Sequence, residues 1–393
     1  MTYKILTLNS IAVAGLDRLP RERYEVASEL SRPDAILLRS FNMHDTDIAD
    51  SVLAVGRAGA GVNNIPVVAL SKRGIPVFNA PGANANAVKE LVIAGLLMAA
   101  RNLHEAWDYV RRLPGSGEEL EKAIETGKKN FVGFELPKRT IGVVGLGAIG
   151  VEVANAALKL GMQVIGYDPT ITVQRAWQLS SGVQKAVNLD DLFARSDVVT
   201  VHVPLTHDTK ELVNRSRLQS LRRGSVLLNF SRGEIVDVDA VTNALNAGKL
   251  HRYVTDFATR ALLDHPKVLC FPHLGASTAE AEENCAIMVA DNLRDFLENG
   301  NVTRSVNFPE AFLQRTRPHR IAVPHANVPN MVAQILTALA AQNINIADLL
   351  NHSREEISYT LVDLDAPASA ATLARIRSIP GVLSTRVLPI IDS

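Results

Sequence analysis

Residues Thr140 to Gly150 read T-I-G-V-V-G-L-G-A-I-G, and the fold turns on this stretch. An apolar, β-branched run leads into Gly145, Gly147 and Gly150, spaced G-x-G-x-x-G, and Val151 to Leu160 continues as a helix. A second apolar run, Gln163 to Tyr167, ends at Asp168, eighteen residues past Gly150. Strand, glycine turn, helix and a strand ending in an acid make up a dinucleotide-binding βαβ unit. Each part has a physical task. Gly145 permits the tight turn, Gly147 lets the backbone approach a pyrophosphate, and Gly150 lets helix and strand pack closely. Ala148 and Ile149 open the helix, whose free N–H groups and dipole favour an anion. The Asp168 carboxylate can accept from both ribose hydroxyls and repels a 2′-phosphate, so the expected cofactor is NAD rather than NADP.

Outward from this unit, short β-type runs alternate with helical stretches, the pattern of doubly wound α/β folds. Upstream, strands are expected at Lys4–Leu8, Ala35–Arg39, Val52–Gly56 and Pro76–Asn79, then a long helix from Asn86 to about Arg112, broken by Pro114-Gly-Ser-Gly117. Downstream, strands are expected at Val198–Val203, Ser225–Phe230, Arg252–Phe257 and Val268–Phe271. A helix follows from about Thr278 to Glu298, with Asn299-Gly300 as its C-cap. Beyond a linker bracketed by Pro309 and Pro318, the tail reads strand (Arg320–Pro324), helix (Asn330–Asn343), strands (Ile346–His352 and Ile357–Asp363), helix (Ala368–Ser378) and strand (Val382–Leu388). That βαββαβ order is ferredoxin-like and long enough for a small domain of its own. The predicted fold class is therefore α/β, with two doubly wound parallel sheets and a C-terminal ferredoxin-like sheet.

Bulk properties exclude several classes. The 393 residues suggest two or three domains, and 47% are apolar. Lys plus Arg and Asp plus Glu number 41 each, so no charge excess points to nucleic acid. The longest apolar stretch, Leu91 to Ala100, is too short to span a bilayer, and the N-terminus lacks the features of a signal peptide. Cys270 and Cys285 form neither a C-x-x-C motif nor a metal-ligand spacing, so no metal is expected. These features suggest a soluble protein of the reducing cytoplasm, without membrane or nucleic-acid partners.

Two further stations carry chemistry. Arg232 follows a strand in L-L-N-F-S-R-G-E-I-V-D, and His273 follows another in F-P-H-L-G-A-S-T. Ligands of open parallel sheets bind outside the carboxyl ends of the strands. Oxidising a 2-hydroxy acid needs a group that takes the hydroxyl proton, and histidine titrates in the right range. It also needs a cation for the carboxylate, and arginine offers a bidentate fork.

From residue 1 to about 308, the chain resembles the D-isomer-specific 2-hydroxyacid dehydrogenases. The motifs are V-G-R-A-G-A-G-V-N-N, G-L-G-A-I-G, V-H-V-P-L-T, N-F-S-R-G-E-I-V-D and P-H-L-G-A-S-T. The resemblance implies that Arg232 binds the substrate carboxylate and that His273 is the acid/base. It places Asn229, Ser231 and Asp256 on the nicotinamide side, with Gly275 nearby, and His202, Val203 and Pro204 on the adenosine side. The loop from Arg57 through Ala60 and Gly61 to Asn64 would meet the substrate. It also implies interleaved domains: a discontinuous substrate-binding domain (1–97 and 286–310), an NAD-binding domain (98–285) and a regulatory domain (318–393). The likeness is strongest to family members that oxidise 3-phospho-D-glycerate, the first step of serine synthesis, with Arg57 a candidate for the phosphate. One departure stands out. Where the family carries a glutamate to pair with the histidine, this chain has Arg260, and no glutamate occurs between Glu234 and Glu280. Asp264 could substitute. Otherwise the chain could act on another 2-oxo acid, or be a catalytically weak NAD(H)-binding sensor.

The tail resembles an ACT domain, a small-ligand module of amino-acid biosynthetic enzymes. P-H-A-N-V-P, with His325 and Asn327, resembles the serine-binding loop of serine-inhibited members, and Asn345 falls where they have a partner asparagine. Asn330 stands where a glycine is usual. The resemblance implies serine as effector and a homo-oligomer, a tetramer, paired through the edges of these domains.

Overall fold

The computed structural model describes residues 2–390. They form two compact units: residues up to Asn84 together with those from Ala279 onward, and Ala85–Thr278 between them. Among the described residues no helix is long and apolar enough to cross a membrane.

In the first unit, β1 (Tyr3–Leu8), β2 (Tyr24–Ala27), β3 (Ala35–Leu38), β4 (Ala54–Arg57) and β5 (Val77–Phe78) form a parallel sheet in the order β2-β1-β3-β4-β5. This is the flavodoxin-like order, whose direction reverses between β1 and β3. Every residue of β3 is buried, as a strand covered on both faces requires. The helix Ala279–Asn299 lies close on this unit because glycines make room: a Cβ on Gly56 would sit 2.5 Å from Val289, and one on Gly15 2.5 Å from Ala286. The edge strand β2 has no counterpart in the sequence reading, where Tyr24-Glu-Val-Ala27 is too short to carry a period.

The same unit contains the C-terminal sheet. Its strands β13 (His319–Ala326), β14 (Ile346–Arg354), β15 (Ile357–Leu364) and β16 (Arg386–Val387) are antiparallel where paired, in the order β14-β15-β13-β16. Helices Met331–Ala340 and Ala370–Arg377 complete the βαββαβ order. Asn330 takes φ +70° at the first helix's start, a conformation that asparagine tolerates. The final strand, expected from Val382 to Leu388, is confined to Arg386–Val387, and Arg386 lays its guanidinium over the Phe296 ring, 4.1 Å away.

This sheet is not set apart by a bare linker. Phe308 and Ala311 are buried, and Ala322, Tyr359, Leu361 and Leu388 share one apolar interior with Ile5, Phe78 and Phe296. Polar ties reinforce it. Arg320 and Asp363, both fully buried, form a two-pronged ion pair. Arg320 Nη1 also donates to the carbonyls of Asn299 (3.0 Å) and Leu313 (2.9 Å). The Tyr359 hydroxyl donates to the Gly300 carbonyl at 2.7 Å.

The second unit holds seven parallel strands: β6 (Thr140–Val144), β7 (Gln163–Tyr167), β8 (Gln184–Lys185), β9 (Val198–Val201), β10 (Ser225–Asn229), β11 (Leu250–Thr255) and β12 (Val268–Cys270). The order is β12-β11-β10-β9-β6-β7-β8, so the Rossmann reversal falls between β6 and β9. The expected single helix to Arg112 is two, Ala85–Arg101 and Leu103–Arg112. Asn102 between them has φ +50° and is held in the interior, donating to the Val132 carbonyl and accepting from Arg252.

Breaking a buried ion pair leaves an uncompensated charge, whereas replacing both partners with apolar groups often does not. Arg320→Met should therefore destabilise the protein by about 3–5 kcal/mol, and Arg320→Met with Asp363→Leu should recover most of the loss. Urea denaturation of the two variants checks this; equal destabilisation would show that the carbonyl bonds of Arg320, not its charge pairing, hold the sheet.

Candidate active site

The second unit gathers its chemistry along the carboxyl edge of one sheet, starting at the reversal. Gly145 follows β6 with φ +88°, and a Cβ there would lie 2.6 Å from the His202 carbonyl, which follows β9. A Cβ on Gly150 would lie 1.9 Å from the Gly145 carbonyl oxygen, so helix Ala148–Lys159 can start here only without a side chain at Gly150. Gly147 differs from both. It caps the helix with φ −71°, and a Cβ there would meet nothing within 4 Å. The loop thus leaves open space beside a helix N-terminus, a cradle of the kind that receives a pyrophosphate.

Asp168 follows β7 directly and reaches back to this loop. Its Oδ2 accepts the Leu146 N–H at 2.8 Å, and its Oδ1 accepts the Thr170 N–H at 2.8 Å. The carboxylate therefore shapes the glycine turn and retains acceptor capacity for a ribose. His202 is tied through Nε2 to the Thr200 hydroxyl at 2.9 Å, and burial pushes its pKa down to about 3, so its imidazole is neutral. Val203 and Pro204 continue as a more open loop.

The next three strands carry the other stations. Asn229, at the end of β10, is fully buried and builds the turn behind it: its amide donates to the Arg232 carbonyl (2.9 Å), and its oxygen accepts from the Ser231 N–H (3.1 Å). The Ser231 hydroxyl is spent on the Val201 carbonyl. Arg232 is half-buried, and its Nη1 donates to the Ser231 carbonyl at 2.6 Å. Asp256, at the end of β11, is 2% exposed; its two oxygens accept the N–H groups of Leu274 (2.9 Å) and Gly275 (2.8 Å). His273, after β12, is exposed and has φ +56°, a left-handed conformation that costs a non-glycine residue free energy. The Asp256 clamp on the two following N–H groups holds that turn in place.

Phe257 connects the stations, and the sequence reading overlooked it. Its ring centroid lies 5.1 Å from that of His273, and a Cβ on Gly233 would lie 3.3 Å from its Cβ. The only available signal was an aromatic residue directly after the strand-ending acid in T-D-F. Arg260 lies on the short helix Arg260–Leu263, largely exposed, with Nε 3.2 Å from Asp264 Oδ2. Asp264 is thus paired with Arg260. Within this unit, no described carboxylate forms an ion pair with His273.

In the first unit, Arg57 ends β4 and folds back over its own loop: a Cβ on Gly59 would lie 2.2 Å from its Nη1. Asn79 donates to the Ala60 carbonyl (2.6 Å), and Asn64 donates to the carbonyls of Phe41 (2.7 Å) and Arg39 (3.2 Å). Gly61 lies between these two anchors. Arg39 pairs with Glu282 at 2.8 Å. Burial raises the Cys285 pKa against the opposing charges of Arg57 and Arg39, and burial also raises that of Cys270.

In the C-terminal sheet, His325 is buried, with Nε2 2.9 Å from the Thr360 hydroxyl and Nδ1 2.8 Å from the Ala326 carbonyl. Asn327 donates to the Glu355 carbonyl (2.9 Å), and Asn345 donates to Asp365 (2.6 Å). The structure does not bring these asparagines together. His325 pairs with Ser358, whereas Leu364, beside Asp365, pairs with His319. Six strand residues, about 20 Å, separate the two ends.

Residues 93–275 match the family described as D-isomer specific 2-hydroxyacid dehydrogenase, NAD binding domain. D-3-phosphoglycerate dehydrogenase of Haemophilus influenzae is 32% identical, over 87% of this chain and 82% of that protein. The chain belongs to the D-isomer specific 2-hydroxyacid dehydrogenases. Its cofactor is NAD and its activity that of an NAD-dependent dehydrogenase. D-3-phosphoglycerate dehydrogenase of Dictyostelium discoideum is 30% identical over 98% of this chain and 97% of that one. Among solved structures, the NAD+-bound 3-phosphoglycerate dehydrogenase of Entamoeba histolytica matches with TM-score 0.61 and 25% identity, over 80% of this chain and all of that one.

Two predictions follow from the glycine loop and its neighbours. Gly150→Ala should cost at least about 1–3 kcal/mol in urea denaturation, because the clash is with backbone. Gly147→Ala should cost less than about 1 kcal/mol yet weaken NADH binding, read by fluorescence, because the added methyl enters the cradle. Stability loss in Gly147→Ala equal to that in Gly150→Ala would mean that the loop is closed there.

Three histidines contribute to the acid limb of stability. Burial depresses the pKa of His202 to about 3 and lowers those of His104 and His251. On unfolding, each returns to about 6.5, so the unfolded chain binds more protons between about pH 3 and 6.5. Their contribution is complete above about pH 6.5 and is lost as the pH falls through that window. His202→Gln should flatten the dependence of the urea midpoint on pH between about 6.5 and 4; an unchanged slope would mean that His202 is protonated in the folded state.

Proposed function

We propose that the chain oxidises 3-phospho-D-glycerate to 3-phosphohydroxypyruvate, the first step of serine biosynthesis, and that serine restrains it through the ACT-type C-terminal sheet. The observation that carries the phosphate assignment is Arg57, whose guanidinium covers Gly59 at the carboxyl end of β4. That edge is where an open parallel sheet takes its ligand. The relatives named D-3-phosphoglycerate dehydrogenase favour the same substrate.

In this reading, the Gly145–Gly150 loop and Asp168 would hold NAD, which would supply the hydride acceptor for C2 of the hydroxy acid. Arg232 holds the substrate carboxylate through its guanidinium fork and fixes C2 in place. His273 takes the hydroxyl proton in oxidation and returns it in reduction. Asp256 and Phe257 act through His273: one fixes its left-handed turn and the other flanks its ring. Because Asp264 is engaged by Arg260, the imidazolium relies on solvent rather than on that loop for stabilisation. The same observation favours a second reading, a member with weak turnover that mainly binds NADH.

Serine inhibition in this reading requires a second copy of the chain. His325 and Asn327 lie at one end of the C-terminal sheet and Asn345 at the other, so one small amino acid reaches both sets only across two protomers. The edge strand β14, nine residues long and mostly exposed, offers unpaired backbone for such a contact, and a homotetramer is the proposed assembly. Soluble, cytoplasmic residence belongs to the same proposal.

An NADH-oxidation assay across phosphorylated and plain 2-oxo acids, with and without serine, tests the set. Arg57→Gln should raise KM for 3-phosphohydroxypyruvate about 10–100-fold, the worth of a charged hydrogen bond, and leave KM for unphosphorylated acids unchanged. Gly59→Ala should do the same by displacing Arg57. Asn345→Ala should abolish serine inhibition without changing basal turnover. Equal KM changes for both substrate classes would remove the phosphate from Arg57. Negligible turnover on every acid despite tight NADH binding would favour the second reading.

A further inference from the structure

Within the first unit, a cavity of ≈ 330 Å³ lies between the loops at one end of the five-stranded sheet and the C-terminal sheet. Leu53, Ile75, Ala322 and Pro324 give it apolar walls, and Arg386 and Thr385 line it from the final strand region. Arg73 and Asp50 line it too, paired with each other at 3.3 Å. Around it the two sheets meet closely: a Cβ on Gly74 would lie 3.0 Å from Leu383 and 3.4 Å from Pro324.

The polar groups in this cavity have chemistry left to satisfy. Arg386 lies over the Phe296 ring and donates one N–H, from Nη2, to the Phe296 carbonyl. Its Nε and Nη1 are buried without a hydrogen-bond partner in the protein, and no described carboxylate forms an ion pair with it. The Thr385 hydroxyl, on a residue 7% exposed, is likewise buried without a partner. Burial lowers the Arg386 pKa, but a guanidinium remains charged at neutral pH. Buried N–H groups of a cation with no partner are costly unless an anion or ordered water meets them.

We propose that this cavity binds a small carboxylate with a branched aliphatic body, its carboxylate on Arg386 and Thr385 and its body against Leu53, Ile75, Ala322 and Pro324. The volume lies at the small end of ligand pockets, which suits a molecule of this size. One unpaired buried cation balances one negative charge, so a monoanion is favoured over a phosphate. The walls come from both sheets of this unit, so the ligand stabilises their association. The proposal does not depend on the substrate assigned above.

The test is calorimetric titration of the full-length protein with 3-methylbutanoate, which lacks the 2-oxo or 2-hydroxy group of a substrate, and in parallel with inorganic phosphate. Binding of 3-methylbutanoate at one site per chain is expected, weakened at least about tenfold by Arg386→Met, several-fold by Thr385→Val, and unaffected by Arg232→Gln. Ala322→Leu, whose longer side chain would fill the cavity from the strand position opposite Arg386, should also abolish it. No binding by the wild type overturns the proposal. So does binding lost in Arg232→Gln but kept in Arg386→Met, and phosphate binding tighter than 3-methylbutanoate removes the carboxylate assignment. Should Arg386→Met fail to fold, unchanged affinity in both Thr385→Val and Ala322→Leu is equally decisive against it.

Discussion

The approach of the Gly145 carbonyl to Gly150, where a Cβ would stand 1.9 Å from the oxygen, is the constraint on which the NAD-binding unit depends. It lets the helix Ala148–Lys159 begin directly on the strand end and directs its free N–H groups past Gly147 into open space. The same turn brings β6 against the segment after β9, where a Cβ on Gly145 would strike the His202 carbonyl. The reversal of strand order and the dinucleotide cradle are therefore one geometric event, produced by backbone contacts that only glycine permits.

The polar residues beside this cradle divide into those that face outward and those spent on backbone. Asn229 and Asp256 are nearly inaccessible, and their hydrogen-bonding groups go to the turns that carry Arg232 and His273. Such groups are costly to bury unpaired, which explains why the turns they bind are well defined. The left-handed backbone of His273 is a strained feature maintained by neighbours rather than by its own preference. In this arrangement the Arg232 and His273 side chains stay accessible while their support is interior.

The C-terminal sheet shows how a module with its own strand order becomes part of a larger unit. Its interior is continuous with that of the five-stranded sheet through Tyr359, Phe296 and Phe78. Arg320 satisfies Asp363 and two carbonyls at once, and Tyr359 satisfies the Gly300 carbonyl. Burying these groups is tolerable because each has partners, and the pairing fixes where the sheet sits on the end of the helix Ala279–Asn299. Arg386 is the exception, since part of its guanidinium has no partner within the protein.

Local patterns determined much of this protein. The strand, glycine turn, helix and acid from Thr140 to Asp168 specify a dinucleotide unit because each step is a short-range requirement of backbone geometry. The placement of Arg232 and His273 just past strand ends was legible, because each follows an apolar β-type run. The roles of Asn229 and Asp256 as clamps, and of Phe257 beside His273, were not legible, since each depends on contacts between segments that follow different strands. The left-handed Asn102 that separates the two helices is held by Arg252, far along the chain, a contact that sequence spacing does not announce. Asp264 could be weighed from sequence as a partner for His273, but only the tertiary structure pairs it with Arg260. Likewise, the apolar and charged residues after Pro318 allow either a tethered module or a packed one. Long-range burial decided it, because Arg320, Tyr359 and Arg386 find their partners in segments that sequence spacing does not relate.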